Sequence, residues 1–98
     1  MMFWMKVFDT KFDTVVTLCD EHLIDKVLDK KGIKFKVSKH FYGEKLVDED
    51  TALNFMKKAT IGNLIGNEAI ELAVKNGFVS KENVVVIDDI PHAQWAKL

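Results

Sequence analysis

The chain has 98 residues, 48% of them apolar and 30% charged, with a formal net charge of −1. That length suits one domain over residues 1–98 with a single core, and that composition excludes intrinsic disorder. No apolar run reaches the roughly 18 to 20 residues that span a bilayer, and the opening MMFWMKVF is cut short by Asp9, so neither a membrane helix nor a secretory leader is expected and the expected location is cytoplasmic.

Phe3 to Phe8 and Val15 to Cys19 are rich in β-branched and aromatic residues, and the polar stretch Asp9 to Thr14 between them predicts a β-hairpin. Cys19 is the single cysteine. It closes an apolar strand, where small thiols are usually buried and inert. Asp20 has the side chain of an N-cap, Leu23, Ile24, Val27 and Leu28 recur at helical spacing, and Gly32 is a natural stop, which together predict a first helix. Ile33, Phe35 and Val37 alternate with Lys34 and Lys36, the period of a strand with one buried and one wet face. Ser38 to Gly43 (SKHFYG) reads as a tight, irregular turn carrying two aromatics.

Asp48 is a good N-cap, Glu49 and Asp50 suit a first turn, and Ala52, Leu53, Met56 and Ala59 give the apolar stripe of a second helix. Ala59 to Gly66 (ATIGNLIG) has two glycines four apart and reads as a close joint between helices. Asn67 then caps a third helix with Ala69, Ile70, Ala73 and Val74 as its stripe, ended by Gly77 and Phe78 in a Schellman motif. The unbroken β-branched run Val84 to Ile87 predicts a central strand buried on both faces. Asp88 and Asp89 make a turn into a last extended segment, Ile90 to Leu98, in which Ala93, Trp95 and Lys97 face one way and Gln94, Ala96 and Leu98 the other. Pro91 cannot donate to a ladder and belongs at the beginning or edge of that strand. The order ββαβααββ predicts an α+β fold, a two-layer α/β sandwich whose mixed sheet of about five strands carries helices on one face.

All fourteen basic residues are lysine, so the bidentate arginine contacts that read phosphate or a guanine edge are absent. Seven of the lysines, Lys26, Lys30, Lys31, Lys34, Lys36, Lys39 and Lys45, crowd one stretch, faced only by Asp25, Asp29 and Glu44. Such a run is more often a solvated face than a phosphate-binding patch. In the second case Lys34, Lys36 and Lys39 meet phosphates and Tyr42, with Phe41 and His40, offers a stacking platform, although loop aromatics more often plug a core.

Pro91-His92-Ala93-Gln94 joins a rigid proline, a side chain that titrates near neutral pH and the single glutamine of the chain. Strand alternation puts His92 and Gln94 on one face, to pair with a ligand or, for His92, to act as acid or base. The commoner use is structural, satisfying the backbone of a nearby turn. Gly62, Asn63, Gly66 and Asn67 lead into a helix N-terminus, whose free N–H groups hold anions in many proteins, but the stretch lacks the phosphate-loop pattern. Cys19, Asp20 and His22 have no second Cys or His at ligand spacing, so no metal or cofactor is expected. No Ser/His/Asp set or separated carboxylate pair stands out, and no catalytic residue is assigned.

Several segments also carry a likeness in order along the chain: Cys19-Asp20-Glu21, Phe41-Tyr42-Gly43, Leu46-Val47-Asp48-Glu49, Ala59-Thr60-Ile61, Asn63-Leu64-Ile65-Gly66 and Pro91-His92-Ala93-Gln94. As a set they resemble the archaeal "domain of unknown function 424" family over nearly the whole chain. The resemblance implies a small archaeal protein with a two-layer α/β fold, no assigned reaction and a link to translation or RNA handling, its partner then being RNA or a protein of the translation apparatus. The opening MMFW is more apolar than the first strand of that family, and lysine stands throughout in place of arginine. Three uses stay open: a non-catalytic binding or adaptor module built on Lys34, Lys36, Lys39 and Tyr42, a small-molecule binder or enzyme centred on His92, Gln94 and Asn63, and a protein-binding surface anchored by Trp4 and Trp95.

Overall fold

The first two strands form the expected hairpin, β1 (Met2–Asp9) pairing antiparallel with β2 (Thr14–Asp20) so that Phe3 faces Asp20 and Phe8 faces Val15. The computed structural model describes residues 1–97; Leu98, assigned above to the Gln94 face, lies outside the described residues. After a 3-10 turn at Glu21–Leu23 come β3 (Val27–Lys30), β4 (Ile33–Lys36), α1 (Lys39–Tyr42), β5 (Lys45–Asp48), α2 (Glu49–Lys58), β6 (Ile61–Ile65) and α3 (Asn67–Lys75). A second 3-10 turn at Lys81–Asn83 leads to β7 (Val85–Ile87) and β8 (Ile90–Ala96). The main sheet has six strands in the order β5-β1-β2-β6-β8-β7, and β3 and β4 form a separate hairpin. Among the described residues only the β2–β6 pair of this sheet is parallel, so the sheet is mixed and the fold is α+β, as the sequence predicts.

Strand alternation divides the sheet into two faces. Phe3 and Met5, Val16 and Leu18, Leu64 and Ala93 point to the face covered by α2 and α3, which contribute Ala52 and Met56, then Ala69, Ile70, Leu72 and Ala73. Each large side chain withdrawn from water there contributes about 1.5–3 kcal/mol, which makes this layer the main source of stability. α2 begins as predicted, Asp48 Oδ1 accepting from the Thr51 N–H at 2.8 Å. α3 ends in the predicted Schellman motif: Gly77 has φ 79°, its N–H donates to Val74 O, and the Phe78 N–H donates to Ala73 O.

The predicted first helix is instead the β3–β4 hairpin. Lys31 and Gly32 have φ of 53° and 84°, the paired positive values of a type I′ two-residue turn, and the Gly32 N–H donates to Asp29 Oδ1 at 2.8 Å. Asp25, with φ 67°, breaks any helix through this stretch. A short isolated helix is marginal without packing along its stripe, and here Val27 is exposed. The expected buried face of β4 is absent too: Ile33 and Phe35 are exposed, and burial begins only at Val37.

Three further expectations are corrected. Ala59 to Gly66 is no joint between helices but holds β6, a strand between β2 and β8. Its Gly62 lies against the Trp95 indole, so the glycine marks a close approach of ring to backbone. Asn67 does not cap α3, because Gly66 holds the N-cap position at φ 115° and the capping carboxylate comes from Asp20, whose oxygens accept from the Glu68 and Ala69 N–H groups at 3.0 and 2.7 Å. Val84 to Ile87 is not central: β7 is an edge strand with Val85 and Val86 exposed. The central place goes to β8, because Asp88 and Asp89, both at positive φ, close a two-residue hairpin that folds β7 to its outside. Pro91 lies near the start of β8, where its carbonyl accepts from the Gly66 N–H. The reciprocal N–H that proline lacks is not missed, since the Gly66 carbonyl accepts instead from Ile70 in the first turn of α3.

Candidate functional site

The second face of the sheet carries the chemistry. Cross-strand registers set Trp4, Cys19, Ile65 and His92 in one row, Lys6, Thr17, Asn63 and Gln94 in the next, and Phe8, Val15, Ile61 and Ala96 in a third. The β3–β4 hairpin and the Glu21–Leu23 turn cover the first row through Leu23, Leu28 and Val37. α1 lies over the second. Where an irregular turn was expected, Ser38 Oγ accepts from the His40 N–H and Ser38 O from the Tyr42 N–H, which winds one helical turn. Thr17, buried, donates from Oγ1 to Phe41 O at 2.7 Å and fastens that turn to the sheet.

Three of the sequence-selected residues meet here. The Tyr42 hydroxyl donates to Asn63 Oδ1 at 2.5 Å, and His92 Nε2 lies 3.2 Å from the same oxygen. The Asn63 carbonyl oxygen only accepts, so the contact is a hydrogen bond in the tautomer that carries its proton on Nε2, with Nδ1 then the acceptor. Tyr42 is 2% exposed and plugs the core from below α1, so it is not the stacking platform considered above. Burial, then the neighbouring Cys19, raises its hydroxyl pKa above the usual tyrosine range. Burial, then the neighbouring Asp20, pushes the Cys19 thiol to about 12, which leaves no thiolate near neutral pH and makes this cysteine inert. Gln94 sits opposite Asn63 with its side chain exposed.

His92 has its pKa lowered, first by burial and then by the positive charge of Lys30. The sign follows from linkage: between the lowered native value and the ordinary value near 6.5 the unfolded chain binds the proton and the native one does not, so stability falls as pH drops through that window. Urea unfolding at successive pH values should therefore show a loss of stability below about pH 6.5, and His92→Gln, which cannot titrate, should flatten that part of the profile.

The lysines do not converge on the site. Lys34 and Lys36 project from the outer side of the β3–β4 hairpin, with Lys34 Nζ 2.9 Å from Asp29 Oδ2. That contact, with the Gly32 N–H, lowers the Asp29 pKa. Lys39 lies on α1 with its ammonium 6.0 Å from the Trp4 ring centre. Neither tryptophan is a free anchor. Trp4 packs against the cluster around Tyr42, and Trp95 packs against Gly62 and, at 5.3 Å between ring centres, Phe78.

The third row adds an aromatic, Phe8, that lies outside the residues selected from the sequence. Phe8 and Phe41 stand with ring centres 5.7 Å apart, Phe41 38% exposed and Phe8 half-buried. Lys6 Nζ lies 4.8 Å from the Phe8 ring centre and donates to His40 O at 2.7 Å. The signal was present in β1, where Trp4, Lys6 and Phe8 alternate onto one face. Among the described residues no group of three His, Cys, Asp or Glu side chains is placed to hold a metal ion, and no helix is long and apolar enough to cross a membrane.

A family model described as "Protein of unknown function (DUF424)" matches residues 8–98. Among solved structures the chain is similar to an uncharacterized conserved protein from Methanopyrus kandleri, at 23% identity and a TM-score of 0.85, with 100% of this chain and 96% of that one covered. At that identity the likeness shows the fold alone. No curated protein matches the chain.

Proposed function

The chain belongs to the DUF424 family of proteins of unknown function, and from that premise we propose that it is a non-catalytic module that binds single-stranded RNA on the open part of its second sheet face. The observation that carries this reading is the half-exposed Phe8–Phe41 pair with the Lys6 ammonium beside it, on the sheet face that also carries Asn63 and Gln94. Aromatic faces stack on any base, and a neighbouring ammonium attracts the backbone phosphates, which together suit unpaired RNA better than a duplex whose bases are already stacked. Lys39 and His40 on α1 extend the polar border of the same surface. Lys34 and Lys36 project elsewhere, and this reading leaves them as a solvated face.

The test is fluorescence anisotropy of a labelled oligouridine titrated with the protein at low and physiological salt. Binding should weaken steeply with salt, and Phe41→Ala should weaken it about tenfold, the loss of roughly one stacked base. Unchanged anisotropy at low salt, or affinity indifferent to Phe41→Ala and Phe8→Ala, sinks the reading. A second reading, a small-molecule site, is favoured by the convergence of Tyr42, Asn63 and His92. Under it, RNA leaves the His92 imidazole NMR signals unmoved while a small ligand shifts them.

A further inference from the structure

The two edges of the main sheet are built differently. β5 carries Lys45 and Asp48 at its ends, the charged residues that commonly blunt an edge. β7 carries none: Val84, Val85, Val86 and Ile87 follow one another, and Val85 and Val86 are 48% and 58% exposed. The hairpin register pairs Ile87 with Ile90 and Val86 with Pro91, so Ile87 and Val85 exchange hydrogen bonds with β8 while the Val86 N–H and C=O point outward. An apolar cleft flanks β7 on each face. On the helix side a cleft of about 590 Å³ is floored by Ile70, Val74, Val84 and Pro91, and on the other side one of about 250 Å³ lies between Ile87 and the Ile33 and Phe35 side chains of the β3–β4 hairpin. Ile33 is 73% exposed. An open strand edge with an apolar cleft on each side is the geometry that accepts one more strand, its alternate side chains entering the two clefts.

We propose that this edge is where two copies of the chain join, β7 pairing antiparallel with β7 of the second copy about Val86 to make one continuous sheet. The segment itself is the occupant the edge fits. Its apolar residues alternate to both faces, and Val86 offers one donor and one acceptor to its own copy, the self-complementarity a two-fold contact requires. The charges agree. Lys75 and Lys81 rim the first cleft and Lys30 and Lys31 the second, against Glu71 alone among the acids of their walls. Glu82 precedes β7 and Asp88 and Asp89 follow it. Antiparallel pairing brings Asp89 of one copy to the Lys81 end of β7 in the other, and its Glu82 to the Lys30 and Lys31 end, while Asp88 Oδ2 stays with the Asp29 N–H of its own hairpin. The two-fold axis stands perpendicular to the joined sheets, so both hairpins lie on one side and each covers its exposed Ile33 against the other copy.

Sedimentation equilibrium of the intact protein across the micromolar to millimolar range tests this. The expected mass is twice the 11.2 kDa of the chain. Val86→Pro removes an N–H that no strand of the same chain uses, and Val86→Lys places a charge on the seam; each should give a monomer with unchanged near-UV circular dichroism. Leu46→Lys, on the opposite edge, should remain dimeric. A wild-type monomer throughout, or a dimer that persists in both folded Val86 variants, overturns the proposal.

Discussion

Asp20→Ala should lower the free energy of unfolding by about 3 kcal/mol, the combined loss of a helix cap and of charge-assisted hydrogen bonds. Asp20 is fully buried at the end of β2, and its two oxygens accept from Glu68 and Ala69, the backbone donors that an N-cap side chain ordinarily serves in the first turn of a helix. α3 has no cap of its own, because its N-cap residue is Gly66. A Cβ at Gly66 would stand 2.2 Å from Asp20 Cγ, so the glycine is the space the carboxylate occupies. Removing the carboxylate leaves a cavity and at least one buried N–H unpaired, at Ala69. Thermal unfolding should show the melting temperature falling by roughly 15 °C for a chain of this size. Asp20→Asn, which keeps one acceptor oxygen, should lose about half as much. A change under about 1 kcal/mol for the alanine variant would mean that the first turn of α3 relaxes to find water instead.

Gly62→Ala should destabilise the fold by about 2–4 kcal/mol through overpacking. A Cβ at this position would lie 2.0 Å from Trp95 Nε1 and 2.2 Å from Cε2, atoms of a rigid ring that Phe78 packs against. The ring cannot yield by a small torsion, as a flexible side chain does. The indole Nε1 is already buried with no hydrogen-bond partner among the described residues, in keeping with a ring pressed closely to the strand. A double-mutant cycle makes the cause specific: in a Trp95→Ala background the same glycine substitution should cost less than about 1 kcal/mol, and the difference is the coupling between them. Equal costs in the two backgrounds would place the effect in the backbone of β6 rather than in the contact with the indole.

Both predictions rest on partners far apart in sequence, and that separates what could be read early from what could not. The β1–β2 hairpin, α2 with its Asp48 cap and the Schellman ending of α3 at Gly77 and Phe78 were legible because each is closed by residues within one turn or one loop of itself. Asp20 was legible as a cap but not as the cap of α3, since nothing local says which helix its carboxylate will meet. The glycines of Ala59 to Gly66 announced close packing, and only the fold shows that one admits an indole and the other a carboxylate. At the candidate site, His92, Gln94 and Asn63 were grouped from the sequence as one small-molecule site, and Tyr42 was set apart with the lysines. The registers of β6 with β8, and the helical turn over Thr17, brought Tyr42, Asn63 and His92 together.

Composition and periodicity by themselves determined an α+β chain with helices packed on a mixed sheet, because alternation and capping are properties of neighbouring residues. Tertiary structure decided which strand lies at the edge and which between others. Val84 to Ile87 has the makeup of a buried strand, yet the turn at Asp88 and Asp89 folds β7 outside β8 and leaves Val86 facing outward. It also decided that Leu28, at helical spacing in the sequence, sits in a hairpin, because positive φ at Lys31 and Gly32 reverses the chain there and the helix-capping carboxylate is engaged elsewhere. The physical reason is the same in both cases: a local pattern marks which side chains gain by leaving water, while whether and where they do so depends on contacts that close only when distant strands meet.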